Sequence, residues 1–598
     1  MSQFLKRFNR FLVVNGYMPK IFLAAFIGFV TGVVAVAFHF GLEFASALVR
    51  KPWTGENALP WWTFAVMPAV GGLIVGVIIY AIAKAPETAG QGTDNMIKSF
   101  HHEGGKIRKR VAPIKFLTSI ITLATGGSAG YEGPISQIGS GIASTVCHGF
   151  NMPQTLRRQF TLAGTAAGLG AIFKAPLAGA LTSVEVLYRE DFESNAFATS
   201  IVSSVVAFTI YIAFVGTAPA IAGVPIFPFT NGVELLACAL LGILCFPFSY
   251  LYVRCYNESE TRFARWQIPN WTKPAIGGLM ISLLVLAYPE VAGGGFEFIG
   301  EVMGAMLPHT VWGVMLLLGI VLAKILATGL TVGSGGSGGV FGPSLFIGGV
   351  LGAMFAGILE LVAPGAIREP EMFILVGMAA FFAGAAKAPI AGVVMVCEMT
   401  GSYSLLPGLL IAAVMHISFS RGWSIYKSQV VNKFASPAHR GDMDQDVLRI
   451  TTVGDVIEHC EMKTLRAEDS LFDVLKDIEV DYVYPVYEGT SKTPTGLSKP
   501  HDHSGTYIGL LDMSIVKNAY ISSPDLIQHL LISDCTVKAP MLNESMDLHS
   551  ALKIFVRTSM NELCVKNKNG DVIGVLSHAA IFKAYDKIVR DSQKTDEL

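Results

Sequence analysis

Over the first 430 residues or so the chain is a succession of long apolar runs with short polar breaks. The runs cover Ile21 to Leu48, Trp61 to Ile82, Phe197 to Ala222, Val233 to Val253, Val311 to Leu330 and Phe373 to Cys397. Each is near or beyond the roughly 20 residues that a helix needs to span a bilayer. From about Ala435 the positions become mixed and charged. There, short apolar strands alternate with amphipathic helical stretches around Ser470 to Ile478 and Leu548 to Thr558, which predicts an α/β unit. The expected fold is a mostly α-helical polytopic membrane protein followed by a smaller water-soluble α/β domain.

Composition sharpens this picture. Of 598 residues, 52% are hydrophobic and 15% charged, against about 25% charged in soluble domains. Lys6, Arg7, Arg10 and Lys20 precede the first run, and Lys106 to Arg110 form a basic cluster. Basic residues collect on the cytoplasmic side, so the N-terminal segment 1–20 is expected there. The first run is long for a signal-peptide core and reads as a retained helix. The net charge of −1 gives no sign of a nucleic-acid partner, and none is expected. Eight cysteines are scattered without a CxxC pair, so neither a zinc site nor a disulfide framework is indicated. No nucleophile–base arrangement or metal-ligand cluster stands out, and the chain does not read as an enzyme.

The membrane region repeats itself. Lys174-Ala-Pro-Leu-Ala-Gly179 matches Lys387-Ala-Pro-Ile-Ala-Gly392, and Glu185 and Glu398 follow at equal distance, each pair 213 residues apart. Gly130-Tyr-Glu-Gly-Pro134 matches Gly339-Val-Phe-Gly-Pro343 at a separation of 209. Two motifs in the same order at nearly one offset imply duplicated halves, about 21–223 and 232–430. Each Gly-x-x-Gly-Pro opens an apolar run, and a turn closing on Pro is a helix N-terminus signature. Such an end offers free N–H groups and positive dipole charge to anions. Repeated halves with Gly- and Pro-interrupted helices point to a transporter-type site near the bilayer midplane. If the halves are inverted, the helices starting at Pro134 and Pro343 aim their positive ends at one centre. Partial charges of this kind attract an anion without trapping it. Glu132 stands at one of these ends, as a capping carboxylate or as a functional intramembrane acid.

Taken together, these motifs resemble the CLC family of chloride channels and proton/chloride exchangers over roughly residues 20 to 430. The family's Gly-(Lys/Arg)-Glu-Gly-Pro looks like Gly130 to Pro134, and its Gly-x-Phe-x-Pro like Gly339 to Pro343. The resemblance implies a homodimer in the lipid bilayer with a separate pathway for chloride or a similar small anion in each subunit. It implies that Glu132 is the gate: ionised it blocks the anion site, and protonation or displacement swings it out. Backbone N–H groups near Gly133, Ile135, Val340 and Phe341 are expected to hold the anion. The family's pathway tyrosine, near the end of the last membrane helix, is best matched by Tyr426. Lys115, 17 residues before Glu132, looks like an electropositive vestibule lysine. Bland readings stand beside these. The Phe341 ring could be core packing, Tyr426 an interfacial belt residue, Lys115 a snorkelling lysine, and Glu185 and Glu398 structural carboxylates.

Three departures bear on what moves. The family's Gly-Ser-Gly-Ile-Pro looks here like Gly90-Gln91-Gly92-Thr93-Asp94. Gln91 is expected to bind the anion through its amide, which brings two donors and an acceptor, so fluoride, nitrate and bicarbonate stand beside chloride. Asp94 is expected to cap the short helix that follows. The proton-coupled exchangers carry a glutamate one position after the one matched by Glu185, where this chain has Val186. Loss of that proton-coupling position favours channel-like or loosely proton-coupled movement over an obligately coupled antiporter. Tyr131 replaces the usual basic residue beside the gate.

The tail resembles a pair of cystathionine-β-synthase (CBS) domains, expected over 451–522 and 530–592 after a linker at 431–450 and on the cytoplasmic side. In nucleotide-binding members an Asp follows each Gly-containing strand, and the matching positions are Ile515 and Ala580. An adenine nucleotide therefore has no support, no cofactor is expected, and dimerisation or clamping of the pore is favoured. His501 and His503 lie in a Gly/Ser/Thr/Pro-rich insert, Gly489 to Gly505, which reads as a loop before it reads as a metal site.

Overall fold

A computed structural model of the protein describes residues 17–53, 59–221, 232–305, 310–365, 367–439, 448, 451–459, 462–479, 482–489, 505–522, 524–558 and 560–595. The basic residues Lys6, Arg7 and Arg10 and the insert histidines His501 and His503 lie outside the described residues. The chain divides after Ala438 into two units.

In the first unit most predicted runs become single helices: Tyr17–Arg50, Ser194–Val215, Gly232–Arg265 and Val311–Gly333. Six described helices are long and apolar enough to cross a membrane. Two runs differ. Trp61 to Ile82 passes from a 3-10 turn through the α-helix Met67–Gly76 into a π-helical end, Val77–Ile82. Its glycines explain this close seating. A Cβ on Gly72 would lie 2.2 Å from the Pro274 carbonyl oxygen, and one on Gly76 would lie 2.0 Å from that of Trp271.

Phe373 to Cys397 breaks into Met372–Ala386 and Pro389–Thr400. The hinge is Lys387, at φ 59°, followed by a proline that cannot continue the helical hydrogen bonding. The first half breaks identically into Gln154–Ile172 and Pro176–Glu185, with Lys174 at φ 53°. Both lysines donate to backbone: Lys174 to Ala218 O at 2.8 Å, Lys387 to Gly384 O at 2.9 Å.

The two halves cap each other. The Glu185 carboxylate accepts the N–H groups of Ile390 (3.1 Å) and Ala391 (2.6 Å). Glu398 accepts those of Leu177 (3.3 Å) and Ala178 (2.8 Å). Each carboxylate lies in the last turn of one half's short helix and neutralises the first turn of the other's, which is the structural reading of this pair. Replacing Glu185, 6% exposed, by Ala is expected to cost about 0.5–2 kcal/mol, as for other lost caps. A lower melting temperature of the purified protein checks this; an unchanged one contradicts it.

The second unit is built from two four-stranded sheets. Labelling strands along the whole chain, β1 is Gly90–Gln91 and β2 Ser337–Gly338, both in the first unit. Then come β3 Glu458–His459, β4 Leu465–Arg466, β5 Pro485–Glu488, β6 Thr506–Leu511, β7 Thr536–Val537, β8 Leu542–Asn543, β9 Glu562–Lys566 and β10 Val572–Ser577. The sheet orders are β3-β10-β9-β8 and β4-β5-β6-β7. Each sequence repeat therefore lends an edge strand to the other: β3 pairs with β10, and β7 with β6. The helix Leu548–Thr558 is as predicted. The stretch at Ser470 to Ile478 yields only Leu471–Val474, where Ser470 is held in a bridge to Leu531.

Candidate functional site

Unwound segments from both halves meet inside the first unit. β1 and β2 pair in parallel, Gly90 with Ser337 and Gln91 with Gly338. Gly130 and Gly339 exchange two backbone hydrogen bonds of 2.8 and 2.7 Å. Glycine is required for so close an approach: a Cβ on Gly133 would stand 2.9 Å from the Gly339 Cα. The helices Glu132–Gly149 and Phe341–Val362 start at this junction. Pro134 and Pro343 are their third residues rather than their first. Because proline has no N–H, the first-turn donors left without an intrahelical acceptor are those of Glu132, Gly133, Phe341 and Gly342. The Ile135 N–H, expected in the anion-holding set, is instead bonded to Tyr131 O at 3.0 Å. At Val340 the carbonyl is engaged, receiving the Tyr252 hydroxyl at 2.7 Å.

Glu132 is 1% exposed, and its side chain folds back into a cradle of glycines. A Cβ on Gly130 would meet Oε2 at 1.8 Å, and one on Gly342 would meet Oε1 at 2.3 Å. The carboxylate thus stands at the first turn of the Phe341 helix, where dipole and N–H groups favour negative charge. The backbone N–H groups of Glu132 and Gly342 face the carboxylate without reaching full hydrogen-bond geometry to either oxygen, so it is held by these N–H groups but not tightly bonded.

Lys115, expected as an electropositive vestibule lysine, is fully buried. Its Nζ donates to Thr88 O at 3.1 Å and Gly90 O at 2.8 Å, bracing the strand that carries Gln91. Lys324 repeats the arrangement in the second half, donating to Val291 O (3.0 Å) and Gly293 O (2.8 Å). Lys324 is also the cation whose charge acts on Glu132. The sequence reading missed Lys324. The 209-residue offset that relates the two Gly-x-x-Gly-Pro strings also relates Lys324 to Lys115, and was the signal available. Lys115→Met is expected to cost about 1–3 kcal/mol, the penalty for unpairing a buried carbonyl. Thermal unfolding in detergent measures it; unchanged stability would contradict the bracing role.

Gln91, 4% exposed, donates from Nε2 to Ile425 O at 3.1 Å. Asp94 does not cap its own helix. Its carboxylate receives the Ser428 N–H (2.8 Å) and Oγ–H (3.0 Å). These bonds flank Tyr426, which is 1% exposed and beside Thr93. Tyr426 does not end the last helix, Leu406–Phe419, but lies beyond it in a non-helical segment. Lys427 pairs with Glu260. The Phe341 ring packs on Phe382 and Phe173, with centroids 4.2 and 5.1 Å away, which accounts for the side chain as packing. Val186 is buried and apolar, and its carbonyl accepts from Gln429 Nε2 at 3.1 Å. A cavity of about 460 Å³ opens onto Gln91, Asp94, Tyr256, Glu260, Lys273 and Ser334. Tyr252 and Tyr256 were also missed, since nothing in the helix Gly232–Arg265 marks which of its tyrosines turn inward.

Inverted halves with helix N-termini meeting at unwound glycine segments define a CLC-type anion-transport protein embedded in the membrane. The voltage gated chloride channel family matches residues 71–421, and the chain belongs to that family. The CBS domain matches residues 532–587. The chain is 31% identical over 444 residues to the H(+)/Cl(-) exchange transporter ClcA of Vibrio vulnificus, covering 71% of this chain and 92% of that one. A slow cyanobacterial Cl-/H+ antiporter is similar in structure at a TM-score of 0.60 and 25% identity, over 68% of this chain and 96% of that one. A eukaryotic CLC transporter gives a TM-score of 0.58 at 18% identity over 94% of this chain and 97% of its own, a likeness of fold alone.

Proposed function

We propose that this protein moves chloride or a similar small anion through a pathway closed by Glu132, in a channel-like or loosely proton-coupled manner. The observation that carries the reading is the Glu132 carboxylate lying in the Gly130/Gly342 cradle at the start of the Phe341 helix. A negative group held there by a helix end stands where an anion would be held, and neutralising it vacates the position. N–H groups of Gly133 and Phe341, with Gln91 and Tyr426, supply the donors. Val340 shapes the turn, Ile135 lines it, and Lys115 stiffens it. Two subunits form a homodimer with one pathway each, and the membrane domain covers 21–430. The tail forms a cytoplasmic CBS pair at 451–522 and 530–592, with no bound cofactor.

A second reading is obligate proton/chloride exchange, favoured by the similarity to ClcA, which is named an exchange transporter. Against it stands Val186, buried and unable to titrate. Purified protein in liposomes separates the two. Chloride efflux with little or no accompanying proton movement is the expected result. Uphill proton movement driven by a chloride gradient establishes the exchanger instead.

A further inference from the structure

The Gln91 amide has a fixed orientation. Side-chain amides can be built either way round, and the hydrogen-bond network decides. Here Nε2 is 3.1 Å from the Ile425 carbonyl oxygen, and the reverse orientation would set two acceptors against each other. Oε1 therefore points away from Ile425. It is buried, and among the described residues no donor bonds it. The Tyr256 hydroxyl oxygen is in hydrogen-bonding contact with the amide without donating to Oε1, and shares the wall of the 460 Å³ cavity with it. The other acids on that wall are occupied: Asp94 holds Ser428, and Glu260 holds Lys427.

A buried acceptor without a partner is unfavourable until something donates to it. The anion pathway at Gln91 thus presents an oxygen as well as N–H and O–H donors. Chloride, fluoride and nitrate carry no proton to give. Hydrogencarbonate is a small anion with one O–H, and it satisfies both kinds of group at once.

Resting on the anion-transport reading above, we propose that Gln91 is a specificity-determining residue that selects hydrogencarbonate by accepting its O–H. Nitrate is the matched control, being planar and singly charged with a similar size but without the proton. The test uses the full-length protein in liposomes loaded with hydrogencarbonate, nitrate or chloride, and reads the uptake of radiolabelled chloride in counterflow. Hydrogencarbonate is expected to support faster counterflow than nitrate. In Gln91→Met, which keeps length but removes both amide groups, that ratio is expected to fall roughly fivefold, the worth of one neutral hydrogen bond. Gln91→Ser serves if the Met variant carries no flux. Thermal stabilisation of the unmutated protein in detergent, greater with hydrogencarbonate than with nitrate, checks the preference without any variant. Chloride counterflow with hydrogencarbonate no better than nitrate, or a ratio unmoved by the substitutions, overturns the role of Gln91 alone. Absence of any chloride counterflow in the unmutated protein overturns the transport reading beneath it.

Discussion

Glu132→Gln is expected to raise anion efflux and to remove most of its pH dependence. The carboxylate sits at the first turn of the Phe341 helix, facing the Glu132 and Gly342 N–H groups without full hydrogen-bond geometry, so the charge of the helix end is the main thing that retains it. Such interactions are worth about 0.3–2 kcal/mol. At tenfold per 1.4 kcal/mol, their loss converts to a rise between about twofold and thirtyfold. The sign of the pH effect follows from the same group. In the unmutated protein, acid neutralises the carboxylate and releases it, so efflux rises as pH falls. The amide of Gln carries no titratable charge, and its efflux should lie flat at the raised level. Efflux from proteoliposomes across an acid-to-neutral series measures both features. A variant that keeps the unmutated pH profile would remove Glu132 as the gate.

Gly342→Ala is expected to open the same gate from the other side. The new methyl would lie 2.3 Å from Glu132 Oε1, and the flexible acid must give way. Efflux should rise and its pH dependence weaken, while the protein remains folded. In a Glu132→Ala background the same substitution should add little, because the group it displaces is already gone. Additive effects would show that Gly342 acts elsewhere. A methyl at Gly133 offers the contrast. It meets the Gly339 Cα at 2.9 Å, and backbone cannot turn aside as a carboxylate can. That variant should lose stability rather than gain flux.

Much of this arrangement could be read from the chain. The 209- and 213-residue offsets located both helix N-termini and the Glu185/Glu398 pair, because duplicated backbone must preserve Gly, Pro and a carboxylate wherever it reuses the same turn. Contacts made across the halves were not legible. Glu185 caps the Pro389 helix, and Gly130 pairs with Gly339, but no local pattern names a partner some two hundred residues away. The Tyr426 segment was placed near the end of the last membrane helix by the family resemblance. Gln91 and Asp94 hold it in a non-helical path by binding Ile425 and Ser428, which is tertiary bonding overriding local preference. The break at Lys387 was hidden inside one apolar run, although the Lys-Ala-Pro string at both hinges marks it. In the tail, exchange of β3 and β7 between sheets cannot be deduced from two similar sequence units, since each unit looks complete by itself.

Whether Glu132 occupies the anion's own site is read directly from anomalous scattering of bromide soaked into crystals of Glu132→Gln and of the unmutated protein. A bromide peak is expected in the variant beside the Phe341 and Gly342 N–H groups, where the carboxylate stands in the unmutated protein, and none at that point in the latter. A peak of equal height in both, or in neither, would contradict the claim that Glu132 occupies the anion's own site.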